Sequence, residues 1–117
     1  MINLLLRWAL SATEDRPLWR GGYGAPSYRM AKEVAWAQLN YYASTLPKQA
    51  YTANIADLTM NFANGSSIWL KGASEPDTLR GPYYDVFIFD EFADIELRAY
   101  TEVIRPSLIE RKGWLIL

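Results

Sequence analysis

The sequence contains no cysteine and no histidine. Those two absences remove thiol nucleophiles, disulfides, His-based triads and every zinc site built from these ligands. Chemistry would have to rest on carboxylates, Arg, Lys, Tyr, hydroxyls and backbone amides. A bound metal would be a hard cation on oxygen ligands, such as Mg²⁺. Basic residues form no run, and the formal net charge is −1, so no strongly basic nucleic-acid face is written into the composition. Contact with a polyanion would need local charge or neighbouring subunits. No segment approaches the roughly 20 apolar residues of a membrane span. The apolar run Ile2–Leu6 is followed at once by Arg7 and by Glu14-Asp15-Arg16, with no small-residue cleavage site, so it does not read as a signal peptide. Also absent is any Gly-Lys-Ser or Gly-Lys-Thr, the end of a phosphate-cradling glycine-rich loop.

Half of the residues are apolar, which is enough for one core in a single domain spanning 1–117. Ile2 to Ala12 has helical periodicity, with Leu5, Trp8 and Ala9 on one face. Leu18 to Gly24 is a possible strand that is weak on propensity, being rich in Gly. Ser27, after Pro26, is a good N-cap for a helix to about Ala43, whose expected apolar face is Ala31, Val34, Ala35, Leu39 and Tyr42. Asp57–Phe62 and Ser67–Gly72 flank Ala63-Asn64-Gly65-Ser66, a strong hairpin signal. A two-residue turn there sets Met60 opposite Trp69. Asp85 to Phe89 is a continuous apolar run of the buried parallel type. A helix is expected from about Ile95 to Glu110, with Pro106 kinking it or starting a new turn, and then a strand from Trp114 to Leu117. Crossovers of this order predict an α/β chain with a mostly parallel sheet, flanking helices and an inserted hairpin. The chain is expected to begin inside a helix and to stop on a strand.

The run Tyr84-Asp85-Val86-Phe87-Ile88-Phe89 ends in two adjacent acids, Asp90 and Glu91. A buried parallel strand that ends this way can bring two carboxylates to the carboxyl edge of an α/β sheet, where such folds bind ligands. One carboxylate suits the water shell of Mg²⁺ on a nucleotide; the next can orient and deprotonate an attacking water. The plain alternative is a pair of solvated acids stabilised by the following helix. Arg80 stands eleven positions before Glu91 and could neutralise charge developing on a phosphoryl group, or simply pair with Glu75 or Asp77. Tyr28, Arg29 and Lys32 begin a helix and could face an anion, though a cap and solvated side chains explain them equally well. Trp8, Trp19, Trp36, Trp69, Trp114 and eight Tyr could stack on bases, but without basic interleaving they favour core and interface packing.

Four blocks carry a more specific resemblance. Ala25-Pro26-Ser27-Tyr28-Arg29-Met30-Ala31-Lys32 with Ala35-Trp36, Asn64-Gly65-Ser66 with Ile68, Leu70, Gly72 and Ala73, Leu79-Arg80-Gly81 with Asp85 and Asp90-Glu91-Phe92-Ala93-Asp94, and Ile104-Arg105-Pro106 with Gly113-Trp114 occur in that order. Together, over about Trp19 to Leu117, they resemble the large subunit of phage terminases. The resemblance implies a P-loop NTPase-type fold using ATP and Mg²⁺. It implies Asp90 as the Walker B carboxylate that holds Mg²⁺ through water, Glu91 as catalytic base, and Arg80 as an arginine acting on a neighbouring subunit's ATP. It further implies double-stranded DNA, a portal protein, a small terminase subunit and a homo-oligomeric ring as partners, in the host cytoplasm.

The chain departs from that family pattern in lacking the Walker A loop, the coupling motif after the last strand and the nuclease domain. It therefore reads as the middle of an ATPase domain, with an apolar sheet edge that the missing strand would cover. Other readings are a different P-loop ATPase such as a helicase, against which the Ala25–Trp36 block and the Asn-Gly-Ser hairpin argue, and a non-catalytic prophage remnant or interaction module. Without a phosphate cradle little positions the nucleotide, and positioning is most of phosphoryl-transfer catalysis. The purified 117-residue chain is expected to show no Mg²⁺-dependent ATP turnover; clear turnover in a phosphate-release assay would contradict this.

Overall fold

The computed structural model describes residues 2–11, 19–72, 84–89, 104–106 and 114–116. The first helix, α1 (Ile2–Leu10), buries Ile2, Leu5, Leu6 and Ala9, the i, i+3, i+4, i+7 stripe of a helix lying on a core. Trp8, expected on that stripe, is 38% exposed. Ile2 and Leu6 draw the buried face to their side and leave Trp8 on its margin.

Strand β1 (Arg20–Ala25) is flanked on both sides by parallel strands, β4 (Ser67–Gly72) and β5 (Val86–Phe89). Three of its six residues are glycine, which propensity alone would disfavour. Packing explains the choice. A Cβ on Gly22 would lie 2.5 Å from Phe87 Cε2 and 2.7 Å from Tyr84 Cε1. One on Gly24 would lie 2.9 Å from Phe87 and 3.0 Å from Phe89. The rings of β5 and its approach thus occupy the space that side chains of β1 would fill. All four residues of β5 are buried, as its continuous apolar run predicts. Along it, Val86 and Ile88 join the core under α1, and by alternation Phe87 and Phe89 serve the other face.

Beyond β4 the sheet turns antiparallel, through β3 (Thr59–Phe62) and then β2 (Tyr51–Asn54). The Asn-Gly hairpin is present, but Met60 pairs with Ile68 and Trp69 with Thr59, one residue away from the expected register. The Phe62 N–H donates to Ser66 O at 2.9 Å and the Gly65 N–H to Phe62 O at 3.0 Å. Gly65 takes φ 92°. This is a three-residue loop closed by a left-handed glycine, not a two-residue turn. Its side chains reach α1: Asn64 Nδ2 donates to Ala9 O at 2.8 Å, and Ser66 Oγ lies 2.7 Å from the same carbonyl. The turn therefore caps the otherwise orphaned carboxyl end of α1. Strand β2 is a correction, since it was not expected. Three of its four residues are exposed, so it lacks the apolar alternation that announces a strand. It is joined to β3 through an Asx turn, in which Asn54 Oδ1 accepts the Ala56 N–H at 3.0 Å.

The second helix, α2, consists of Tyr28–Met30, a π-helical stretch at Ala31–Ala35, and Trp36–Ala43. Ser27 caps it as expected, its Oγ accepting the Met30 N–H at 3.2 Å. The π turn, in which the Trp36 N–H reaches back to Ala31 O, was not foreseen. It changes which residues are buried. The buried set is Ala31, Ala35, Trp36, Leu39 and Ala43, whereas Val34 is 52% exposed and Tyr42 43%. A strict spacing of four keeps Ala31, Ala35, Leu39 and Ala43 on one face only where a wide turn underwinds the helix.

Helices α1 and α2 pack on each other and on β1 and β4, over a core that includes Leu5, Leu39, Met60, Ile68 and Leu70. Strand β6 (Trp114–Ile116) pairs in parallel with β5. The sheet order is β2-β3-β4-β1-β5-β6, a mostly parallel half with an antiparallel extension. Of the expected Ile95–Glu110 helix, Ile104–Pro106 are helical and Ile104 is fully buried; the rest lies outside the described residues.

Gly72 closes β4 where the start of α2 crosses it. A Cβ there would lie 2.5 Å from Tyr28 Cα and 2.6 Å from Ser27 C, atoms of main chain that cannot rotate away. Gly72→Ala is expected to cost about 2 to 3 kcal/mol in urea unfolding. An unchanged midpoint would show that the strand and the helix start are not locked together.

Candidate functional site

Strands β4, β1, β5 and β6 run in one direction, so their carboxyl ends share one edge of the sheet. The register is close: Ala25 pairs with Gly72, Gly24 with Phe89, and Ile88 with Ile116. At that edge β1 passes through Pro26 into the capped start of α2, and Gly72 abuts the same helix start. In doubly wound sheets this is the edge that binds ligands. Phe89, buried at the end of β5, is followed in sequence by Asp90 and Glu91. Asp90, Glu91 and Arg80 all lie outside the described residues. Among the described residues no cluster of three His, Cys, Asp or Glu side chains could hold a metal ion, and no helix is long and apolar enough to cross a membrane.

Asp85 sits at the other end of the strand. It is buried, and its Oδ2 accepts the Arg20 N–H at 2.9 Å while its own N–H donates to Arg20 O at 2.8 Å. Both main chains are thereby pinned where β1 and β5 begin. Asp85 sets the register of the strand that ends at Phe89, and it stands a strand's length from the carboxyl edge.

The helix start does not gather cations. Arg29 pairs with Glu33 at 3.2 Å, both side chains largely exposed, and Lys32 is exposed as well. Such a surface pair contributes little. Tyr28 is half exposed. This is the cap-and-solvated-side-chain reading, and these residues bring no convergent anion site to the edge.

A cationic cluster does occur on the face of β4 opposite α1. The Arg20 guanidinium carbon lies 5.5 Å from the centroid of the Trp69 ring, and Lys71 Nζ lies 5.4 Å from it. Trp69 Nε1 donates to Ser67 Oγ at 2.9 Å. Burial holds the Lys71 pKa below the ordinary lysine value, and the charge of Asp57 opposes that shift. Sequence reasoning missed this group because Arg20 and Lys71 are far apart in the chain. The available signal was the alternation of Ser67, Trp69 and Lys71 with Ile68, Leu70 and Gly72. Of the other tryptophans, Trp36 is buried in the core and Trp19 packs against it.

No family model matches the chain. Over 86 residues, 72% of this chain, it is 34% identical to the terminase large subunit of Escherichia phage T5 and spans 19% of that protein. Over 47 residues it is 43% identical to the terminase large subunit of Thermus phage G20c, spanning 10% of that protein. The large terminase ATPase domain of Thermus phage P74-26 superposes with a TM-score of 0.68 at 27% identity, covering 88% of this chain and 48% of that one. The chain thus spans about a fifth of the T5 protein and about half of the P74-26 ATPase domain. Its fold is the α/β sheet of P-loop NTPase type that the sequence predicted.

Tyr84, just before β5, is fully buried, and its hydroxyl has no hydrogen-bond partner among the described residues. Its ring meets Phe87 edge-on at 4.9 Å. Burial pushes the phenol pKa well above the ordinary tyrosine value, with the Arg20 charge opposing. The folded chain thus keeps this proton where the unfolded chain loses it, so stability falls as pH rises beyond about 10. Lys71 acts in the opposite sense: its folded pKa is lowered, so stability rises with pH from that lowered value to about 10.4. Tyr84→Phe is expected to stabilise the chain by about 1 kcal/mol at neutral pH and to blunt its alkaline destabilisation. A loss of stability at neutral pH in urea unfolding would contradict this.

Proposed function

The chain is a homologue of terminase large subunits over most of its length, and from that premise we propose that it forms part of a viral DNA-packaging ATPase. In the whole protein, ATP hydrolysis drives double-stranded DNA into procapsids. The observation that carries this reading is β5, a wholly buried strand between β1 and β6, all parallel, that ends immediately before Asp90-Glu91. Asp90 would hold Mg²⁺, which would supply charge neutralisation on the phosphates when bound. Glu91 takes the proton of the attacking water as the water oxygen bonds to the γ-phosphorus and the bond to the β–γ bridging oxygen breaks, releasing ADP. Arg80 serves the ATP of a neighbouring subunit in a homo-oligomeric ring, placing positive charge where negative charge develops. The ring works on a portal protein, with a small terminase subunit, in the host cytoplasm.

The test uses the protein with its complete ATPase domain. Glu91→Gln is expected to reduce kcat for hydrolysis by about 10² to 10⁴-fold while leaving the Kd for ATP nearly unchanged, because the amide keeps the shape but cannot take a proton. Equal loss of binding and turnover would make Glu91 structural and overturn its role as base.

A further inference from the structure

Strand β2 ends the sheet on the side away from β6, so one of its edges has no neighbouring strand among the described residues. The hydrogen-bond pattern says which groups that edge presents. The Ala63 N–H donates to Ala50 O at 2.9 Å, which makes Ala50 and Ala63 a hydrogen-bonded pair of the antiparallel ladder. Such pairs alternate along a strand, and the register Tyr51 to Phe62, Thr52 to Asn61, Ala53 to Met60 and Asn54 to Thr59 continues from it. Thr52 and Asn54 therefore bond inward to β3, while Tyr51 and Ala53 turn their N–H and C=O groups outward. The next ladder agrees. There the Phe62 N–H donates to Ser66 O, so Phe62 and Met60 serve β4 and leave Asn61 and Thr59 for β2. Charged residues and prolines, which usually guard an open edge, are missing: Tyr51 to Ile55 contains neither. Thr52, Ala53 and Asn54 are exposed, and Ile55, just past the strand, is an apolar side chain 59% exposed.

We infer that β2 is a pairing edge for a second copy of this chain, the two β2 strands running antiparallel about a two-fold axis at Thr52. Tyr51 of each copy then pairs with the partner's Ala53. These are the outward residues, so each pair exchanges two main-chain hydrogen bonds and four form in all. A shift by one residue would oppose outward groups to inward ones, and a shift by two would draw in Gln49 or Ile55 from outside the strand. At the axis Thr52 meets the partner's Thr52, a favourable cross-strand pair. On the other face Ile55 comes beside the partner's Tyr51, whose own ring packs against the core, so an exposed apolar side chain gains cover. Lys48 and Asp57, both exposed, flank the strand. The antiparallel arrangement sets Lys48 of each copy within one residue of the partner's Asp57, whereas parallel strands in register would set like charges side by side. Exposed pairs of this kind add little energy but select the orientation. The strand is four residues long, so the pair is weak and concentration-dependent. It is closed and isologous, which distinguishes it from the homo-oligomeric ring of the packaging reading, and it does not rest on that reading.

Sedimentation equilibrium of the whole chain over a range of concentrations tests this, with a reversible monomer–dimer equilibrium expected. Ala53→Pro removes one outward N–H from each copy without taking a bond from β3, and proline is tolerated on such an edge. It is expected to weaken the dimer about tenfold or more while leaving the circular dichroism spectrum unchanged. A second variant uses the absence of cysteine from the sequence. Thr52 meets its own copy at a non-hydrogen-bonded position, where Cα atoms stand about 4.5 Å apart, within disulfide reach. Thr52→Cys is expected to give a covalent dimer on mild oxidation. Asn61→Cys, also exposed but one strand in from the edge, is expected to cross-link far less. Should Ala53→Pro fail to fold, the Thr52→Cys cross-link decides alone. A chain that stays monomeric up to about 1 mM overturns the inference. So does a dimer in which Thr52→Cys cross-links no better than Asn61→Cys, which would move the contact to another surface such as the β6 edge. A dimer that a folded Ala53→Pro chain forms equally well also overturns it.

Discussion

Two parallel strands close on the glycine backbone of β1 because it carries almost no side chains on one face. Phe87 and Phe89 lie over Gly22 and Gly24, and Tyr84 leans on the same bed. With any larger residue at Gly22, the β5 rings would have to leave the space they occupy. The order β4-β1-β5, and with it the position of the end of β5, depends on that vacant face. This is a case where poor strand propensity is the condition for good packing, the reverse of what a propensity scale suggests.

The ends of the same strands are fixed by different means. At the amino edge, Asp85 and Arg20 exchange two hydrogen bonds and hold β5 in register with β1. At the carboxyl edge, the capped start of α2 runs so close to Gly72 that a Cβ there would meet its main chain. On the core side, Asn64 and Ser66 both tie the hairpin turn to the Ala9 carbonyl near the end of α1. Sheet, helix and turn are therefore bound to one another at the points where the chain reverses. The carboxyl edge is the outcome of these three constraints together.

Much of this was legible in the sequence, where a local rule and the packing agreed. The Ser27 cap, the Asn-Gly hairpin and the buried run of β5 each rest on a physical rule that nothing else in the fold opposes. Legibility failed where one residue more or less satisfies the same rule. Asn-Gly supports loops of two or three residues, and the left-handed Gly65 selected the longer, shifting the pairing by one. The π turn moved Val34 and Tyr42 off the core face, since period 3.6 no longer holds across it. Strand β2 gave no apolar signal because it faces water. The cationic cluster joins residues on different strands, so no short motif contains it. Asp90, Glu91 and Arg80 were read from motif and resemblance, and all three lie outside the described residues.

The central claim is that the carboxyl end of β5 meets a nucleotide-bound metal through Asp90. Iron-mediated cleavage tests it most directly. In the protein with its complete ATPase domain, Fe²⁺ replaces Mg²⁺ in the presence of ATP, ascorbate and peroxide, and the backbone cuts are mapped by mass spectrometry. The account predicts ATP-dependent cuts around residues 89–91, abolished by Asp90→Ala. Cuts confined elsewhere, or cuts at 89–91 that persist without ATP and in Asp90→Ala, would contradict it.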